Sequence, residues 1–323
     1  MTTGGAAESS AGGLILITEV ARDDEWLDRL RALAPGFEIA WSERPTGDQM
    51  SRAVAIAGAL APEDLAAAPG LRWNHSWRAG VDDELFPELV DSSVELTSST
   101  GNGAVPLAEH AMLLMLMLDR DAPRWAEAQR ARTWDRYVHG ELAGSTLGII
   151  GLGQAGRDLA QKARAFHMRV LGVRARPEMP VAGVERIYGA GDLHEFLPQC
   201  DWVVVTAALT PSTRGMLDEE AFAAMKPGAR FVNVSRGEIA VPDALHRALE
   251  SGHLGGAGLD AHADEPLSAD APWWTMPHVI VTPHNGATSF GLRGRSREIF
   301  ERNLELFARG ETLESVVNKR LGY

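Results

Sequence analysis

Three side chains in the second half of the chain suit acid–base and anion chemistry, and each follows the same kind of segment. Arg236 comes after Phe231-Val232-Asn233-Val234-Ser235, and Glu265 a short loop after Gly256-Ala257-Gly258-Leu259-Asp260. His284 comes after Val279-Ile280-Val281-Thr282-Pro283. The leading residues of each segment form a short apolar run, as buried parallel strands do. Ligands of open α/β sheets bind outside the carboxyl ends of such strands. A fixed cation, a proton donor and a carboxylate that tunes the donor form the kit needed to reduce a carbonyl beside a carboxylate. The carboxylate favours the imidazolium form and keeps a proton at hand near neutral pH.

Such a reduction needs a hydride, and a second motif suggests its source. Leu147 to Ile150 is an apolar run ending in Gly151-Leu152-Gly153-Gln154-Ala155-Gly156, and Arg157 to Phe166 reads as a helix. Strand, glycine turn and helix in that order make G-x-G-x-x-G informative as a dinucleotide fingerprint. The first glycine permits the turn, the second lets a pyrophosphate approach, and the third lets helix and strand pack. The free N–H groups of the helix start then face the phosphates. The next strand ends in Arg174-Ala175-Arg176, where an NAD site would carry an acidic residue about 20 positions past the glycines. Two guanidinium groups without an acid suit a 2′-phosphate, so NADP(H) is expected over NAD(H), which stays possible.

The elements that must position these residues alternate along the chain. Leu14 to Thr18, Val54 to Ala57, Leu71 to Trp77 and Val94 to Thr97 read as strands, with helices at Glu25 to Leu33 and Pro62 to Ala67. A strongly apolar helix, Ala108 to Leu118, leads into the polar stretch Asp119 to Glu141, which carries Trp125, Trp134 and Tyr137. Aromatics among charges suggest a subunit contact, hence a homodimer. Past the fingerprint, strands are expected at Val170 to Val173, Trp202 to Ala207, Phe231 to Val234, Gly256 to Leu259 and Val279 to Val281. Helices are expected at His194 to Leu197, Glu219 to Met225 and Pro242 to Ser251, with one long helix from beyond Thr288 to about Ala308. Strand–helix alternation implies parallel sheets.

Composition narrows the function. The 323 residues carry a formal net charge of −13, which argues against a nucleic-acid footprint. The single cysteine, Cys200, rules out an internal disulfide and reads as a buried structural thiol. Nothing resembles a metal cluster. Residues 1–13 are small and polar, are expected to be disordered and lack the basic start of a targeting segment. Ala111 to Leu118 falls short of the ~20 residues that span a bilayer, so no membrane partner is expected and the cytoplasm is the default.

Together the motifs resemble those of the D-isomer-specific 2-hydroxyacid dehydrogenases, and in particular those like glyoxylate/hydroxypyruvate reductases. The resemblance rests on Gly151 to Gly156, Asn233-Val234-Ser235-Arg236-Gly237, Gly258-Leu259-Asp260 with Glu265-Pro266, and Thr282-Pro283-His284. Ala79-Gly80-Val81-Asp82 and Ala108-Glu109-His110-Ala111 add to it. It implies an α/β fold of two Rossmann-like, doubly wound parallel-sheet domains with a cleft between them. A nucleotide-binding domain, 107–290, would be inserted into a substrate domain of 1–106 plus 291–323.

The resemblance also implies roles. Arg236 would hold the carboxylate of a small 2-keto or 2-hydroxy acid, His284 would be the acid/base, and Glu265 its partner. The N–H groups of Ala79 and Gly80 would bind the substrate carboxylate. Arg78 beside them would meet a second anionic group or pair with Asp82 or Asp83. Gly151, Gly153, Gln154, Ala155, Gly156, Arg174, Arg176, Ala208, Val234 and Ser235 would line the cofactor, and Asp260 would face the nicotinamide amide. His262 reads as loop packing. The chain departs from the family at Thr206-Ala207-Ala208, where members often have His-x-Pro. Formate-type relatives carry glutamine in place of Glu265. A nucleotide-sensing corepressor on the same fold is the non-enzymatic alternative, opposed by the arginine pair and the lack of extended arms.

Overall fold

The computed structural model describes residues 12–323. The disorder expected for residues 1–13 lies outside them, except that the Gly13 carbonyl accepts the Glu38 N–H at 3.1 Å. The chain forms two compact units, one reaching to Asn102 and resuming at Gly291–Tyr323, the other Gly103–Phe290.

The first unit is built on β1 (Leu14–Ile17), β2 (Glu38–Trp41), β3 (Ala53–Ala57), β4 (Trp73–Ser76) and β5 (Glu95–Ser98). They lie in the order β2-β1-β3-β4-β5, all parallel. β1 reads Leu-Ile-Leu-Ile and is buried throughout, because helices cover both faces of the sheet. Leu14 and Leu16 join Ile56 and Leu96 on one face. Ile15 and Ile17 meet Trp73, Phe300 and Leu304 on the other. The last two residues come from the long helix Leu292–Arg309, so the C-terminal segment completes this core.

The second unit holds β6 (Thr146–Ile150), β7 (Arg169–Val173), β8 (Arg186–Tyr188), β9 (Trp202–Val205), β10 (Arg230–Asn233), β11 (Gly256–Leu259) and β12 (Val279–Val281). The order is β12-β11-β10-β9-β6-β7-β8, again parallel. The chain winds outward from β6 in one direction and then from β9 in the other. That reversal makes the β6/β9 boundary the switch point at which this class of sheet opens a ligand crevice. Alternation again divides the residues between two cores. Val203 and Val205 pack with Phe231 and Leu259, whereas Val204 packs with Leu147, Ile149 and Val232. Cys200 is fully buried, and burial pushes its thiol up to about 12, which keeps it a thiol rather than a thiolate nucleophile.

Several elements differ from the sequence expectation. The helix after the fingerprint is Gln154–Ala165 and so begins within the glycine motif, ahead of the expected start at Arg157. Pro106, expected to end the first unit, lies in the first turn of the helix Ala104–Asp119, where proline costs little. The edge strands β2 and β8 are too short and too exposed to show as apolar runs. The polar stretch Asp119 to Glu141 contains the helix Ala122–Ala131. Beyond that helix, Asp135 is tied back by Arg124 at 2.5 and 3.0 Å, and the Tyr137 ring lies under the same guanidinium at 4.0 Å. Tyr137 is thus partly covered, while Trp134 stays 90% exposed.

The first unit also buries a titratable group. His75 is fully enclosed, with Nδ1 2.8 Å from Thr97 Oγ1, Nε2 3.2 Å from Ser99 Oγ and the Trp77 and Phe300 rings against it. Burial lowers its pKa from 6.5 to about 3, so the folded ring stays neutral. Below pH 6.5 the unfolded chain takes up a proton here that the folded chain refuses, until the pH reaches about 3. Stability should therefore fall as pH drops through that window. In urea titrations across that range, His75→Gln should fall less steeply with acid than the native chain. Identical slopes would contradict this account.

Candidate active site

The glycine turn leaves β6 at the switch point. Gly151 takes φ +102°, a region open to glycine, and a Cβ there would stand 2.5 Å from the Ala207 nitrogen. A Cβ at Gly156 would collide with the Gly151 carbonyl, to which Thr206 Oγ1 also donates at 2.6 Å. These two glycines are required by the chain's own packing. Gly153 differs, because a Cβ there would meet nothing within 4 Å and its φ is −73°. Next to it Gln154 and Ala155 open a twelve-residue helix with no acidic residue in its first turn. An unfilled approach to bare backbone at a helix N-terminus fits a pyrophosphate.

The flanking residues expected on the cofactor are varied in setting. Arg174 follows β7, half-buried, with its Nη1 3.5 Å from the Met179 carbonyl, and Arg176 is exposed. Among the described residues neither is paired with a carboxylate. Ala208 is exposed beyond β9, its carbonyl accepting the Thr213 hydroxyl at 2.8 Å. Val234 is 2% exposed, so its side chain belongs to the core and only its backbone is available.

Arg236, Glu265 and His284 stand beyond the neighbouring strands β10, β11 and β12. The turn after β10 is held by Asn233, 1% exposed. Its Oδ1 accepts the Ser235 N–H and hydroxyl, each at 3.1 Å, and its Nδ2 donates to the Arg236 carbonyl at 2.8 Å. Arg236 itself is half-buried, with Nη1 donating to the Ser235 carbonyl at 3.0 Å. Glu265 and His284 meet directly, with Nδ1 2.7 Å from Glu265 Oε2. Both side chains are open to solvent, at 39% for His284 and 35% for Glu265. A carboxylate only accepts, so Nδ1 carries the hydrogen and Nε2 is left for a substrate. His284 takes φ +51°, a left-handed conformation more often seen in histidine than in bulkier residues.

Asp260 holds that conformation. Expected opposite the nicotinamide amide, it is fully buried, and its oxygens accept from neighbouring groups. Oδ1 accepts the Thr282 hydroxyl at 2.7 Å and the Asn285 N–H at 3.1 Å, and Oδ2 accepts the Gly286 N–H at 3.0 Å. His110 Nε2 lies 3.3 Å from Oδ1 and 3.0 Å from Thr282 Oγ1. Burial would raise this carboxyl, but the bonds from His110, Thr282 and Gly286 outweigh it and bring the pKa down to about 2. Asp260 is thus an ionised anchor behind the histidine loop. His110 was not among the expected site residues, although a histidine within the apolar stretch Ala108 to Leu118 was the available signal.

The loop Arg78-Ala79-Gly80 belongs to the first unit. Arg78 is ion-paired with Asp83, and its Nε stands 3.7 Å from Glu84 Oε1. Glu84 is buried and takes a 2.8 Å hydrogen bond from the Ser76 hydroxyl. Of the two roles expected for Arg78, the structure shows an acidic partner, Asp83. Trp77 packs in the core against Trp26 and Phe300, its Nε1 donating to the Thr18 carbonyl at 2.9 Å.

Residues 112–286 match the family model of the D-isomer specific 2-hydroxyacid dehydrogenase NAD-binding domain. The chain belongs to the D-isomer-specific 2-hydroxyacid dehydrogenase family. It is 32% identical over 263 residues to the glyoxylate reductase of Pyrococcus furiosus, covering 79% of this chain and 78% of that protein. It is also 32% identical over 302 residues to the D-3-phosphoglycerate dehydrogenase of Mycobacterium tuberculosis, covering 89% of this chain. There it spans only 56% of the longer protein. Among solved structures, the NADPH-dependent glyoxylate/hydroxypyruvate reductase of Sinorhizobium meliloti, in complex with NADP and sulfate, is 31% identical with a TM-score of 0.81. That match covers 96% of this chain and 99% of the other. A family member from Xanthobacter autotrophicus, in complex with NADPH and MES, is 30% identical with the same TM-score, over 97% and 99% of the two chains. Among the described residues no helix is long and apolar enough to cross a membrane, and no group of three or more metal-ligating side chains is assembled.

The contrast between the glycines is testable. Gly153→Ala should leave the melting temperature unchanged while weakening nicotinamide-nucleotide binding at least tenfold in a fluorescence titration. Gly156→Ala should lower the melting temperature. Native nucleotide affinity in Gly153→Ala would exclude a pyrophosphate at this turn.

Proposed function

We propose that this protein reduces a small 2-keto acid to a D-2-hydroxy acid, reversibly, with NADP(H) preferred over NAD(H). The observation that carries the reading is His284 Nδ1 held 2.7 Å from Glu265 at the exit of β12. Its place two strands from the exit that bears Arg236 adds to it. When bound, the nicotinamide supplies the hydride to the 2-carbon. Arg236 then neutralises the substrate carboxylate and polarises the carbonyl, a bidentate task for which guanidinium is suited. His284 gives the proton on Nε2 to the carbonyl oxygen as charge builds there, while Glu265 keeps the ring oriented through Nδ1. On the family resemblance alone, the N–H groups of Ala79 and Gly80 share the carboxylate.

Two observations favour a small, singly charged substrate such as glyoxylate or hydroxypyruvate. Arg78 already faces Asp83 and Glu84, so it offers no uncompensated charge to a second anionic group. Trp77 is committed to the first core, and Trp273 packs on His246, which leaves little aromatic surface for a bulkier acid such as phenylpyruvate. NADP(H) preference is supported by Arg174 and Arg176 beyond β7 and by the NADPH and NADP bound in the two solved relatives. The exposed Trp134 and Val138, at 90% and 98%, support a homodimer through the segment after Ala131. Cytoplasmic location remains part of the proposal.

Oxidation of NADPH and NADH against a panel from glyoxylate to phenylpyruvate tests the reaction. Turnover should be best with NADPH and the smallest acids, and no turnover with any acid would overturn the reading. His284→Ala should lower kcat by about 100-fold or more with cofactor affinity kept, and an unchanged kcat would remove the acid/base role. Arg174→Asp should raise KM for NADPH more than for NADH, and equal changes would reject the phosphate contact. Trp134→Ser should shift sedimentation toward the monomer, and an unchanged sedimentation coefficient would exclude this segment as the dimer contact.

A further inference from the structure

His262 stands where the three strand exits come closest to being one piece of structure. It is 8% exposed, far more enclosed than the two residues it lies between in the site. Its backbone N–H donates to Glu265 Oε1 at 2.8 Å, so one carboxylate oxygen is fixed by His262 and the other takes His284. Its ring Nε2 lies 3.1 Å from the Thr282 carbonyl, two residues before His284. A carbonyl only accepts, so Nε2 carries the hydrogen, whichever state Nδ1 is in. On the third side, a Cβ at Gly237 would collide with the His262 carbonyl carbon and the Ala263 nitrogen. The residue after Arg236 is therefore pressed against the peptide that follows His262.

We propose that His262 is a positioning residue for the reaction, its ring N–H bridging the glutamate-bearing loop to the histidine-bearing loop and so fixing the Glu265–His284 pair. Glu265 sits in an exposed loop, with Ala263, Asp264 and Pro266 all exposed around it. An open, two-residue ion pair of this kind holds its geometry weakly by its own attraction. The bond from a buried ring to the Thr282 carbonyl supplies the constraint that the pair lacks. A bond of that kind contributes modestly to stability, yet small losses of alignment at a proton-transfer step are costly in rate. An aromatic residue that merely filled the space would pack as well and leave the loops free to separate.

This inference rests on the proposed reduction, and the test separates the two. His262→Phe keeps an aromatic ring of similar size without the N–H, His262→Met is a second donor-free filler, and His262→Gln places an amide N–H where Nε2 stands. Melting temperature, NADPH affinity by fluorescence, and kcat and KM for the best 2-keto acid would be measured on each. The Phe variant should lose tenfold or more in kcat while NADPH affinity and KM stay within twofold of native, and the Gln variant should recover most of that loss. If the Phe variant melts early, the same pattern is expected of the Met variant. Native kcat in a folded donor-free variant would overturn the inference. So would a Gln variant no better than Phe, or donor-free variants that lose cofactor affinity in step with kcat. A native protein that turns over no 2-keto acid would instead refute the proposed reaction.

Discussion

The site depends on one buried charge. Asp260 has no exposed surface, and an ionised carboxylate in such a place must be met by donors or it will not stay ionised. The donors come from Thr282, Asn285 and Gly286 on one side and from His110 on the other. Satisfying that carboxylate folds residues 282–286 tightly around it and holds His284 between Thr282 and Asn285. There its left-handed backbone, which costs of order 1 kcal/mol for a non-glycine residue, is kept in place. His284 is thus placed by a buried carboxylate behind its loop. The same logic repeats after β10, where buried Asn233 clasps both sides of the turn that carries Arg236.

Rigid anchors and exposed workers form a consistent division of labour. Asn233, Asp260 and His262 are buried and saturated or nearly so, while Glu265 and His284 keep more than a third of their side-chain surface open. Asn233 and His262 lie a few residues before Arg236 and Glu265, whereas Asp260, just after β11, holds His284 across the neighbouring strand exit. The strands β10 and β11 owe their own order to nearly continuous burial on both faces, and β12 pairs with β11 at the sheet edge. Precision at the surface thus derives from hydrophobic packing below it, passed on through a few hydrogen bonds at the strand exits.

Much of this was legible in the sequence, and the reasons are physical. Runs such as Leu147 to Ile150 or Trp202 to Val205 are buried on both faces and show themselves as unbroken apolar residues. The glycines at 151 and 156 are demanded by backbone contacts that any such turn creates, so their spacing carries the fold. The edge strands β2 and β8 were missed because an edge is half-solvated and loses the apolar signal. The helix Ala122–Ala131 was missed because it is polar around most of its surface. Within the site, Arg236, Glu265 and His284 could be named from their places after strands. The tasks of Asp260, His110 and His262 could not, since a buried polar residue reveals its partners only in three dimensions. Trp77 shows the reverse case, a residue beside the Ala79-Gly80 motif whose ring packs against the first core.

In the proposed reaction a hydride from reduced nicotinamide reaches the 2-carbon of a keto acid on one face while His284 protonates the oxygen. It is tested most directly with NADPH carrying deuterium at both C4 positions, glyoxylate replaced by a prochiral acid such as hydroxypyruvate, and the product analysed by mass and by chiral separation. A single D-configured 2-hydroxy acid with one deuterium on C2 is the expected product. Product without deuterium, or product of L or mixed configuration, would contradict it.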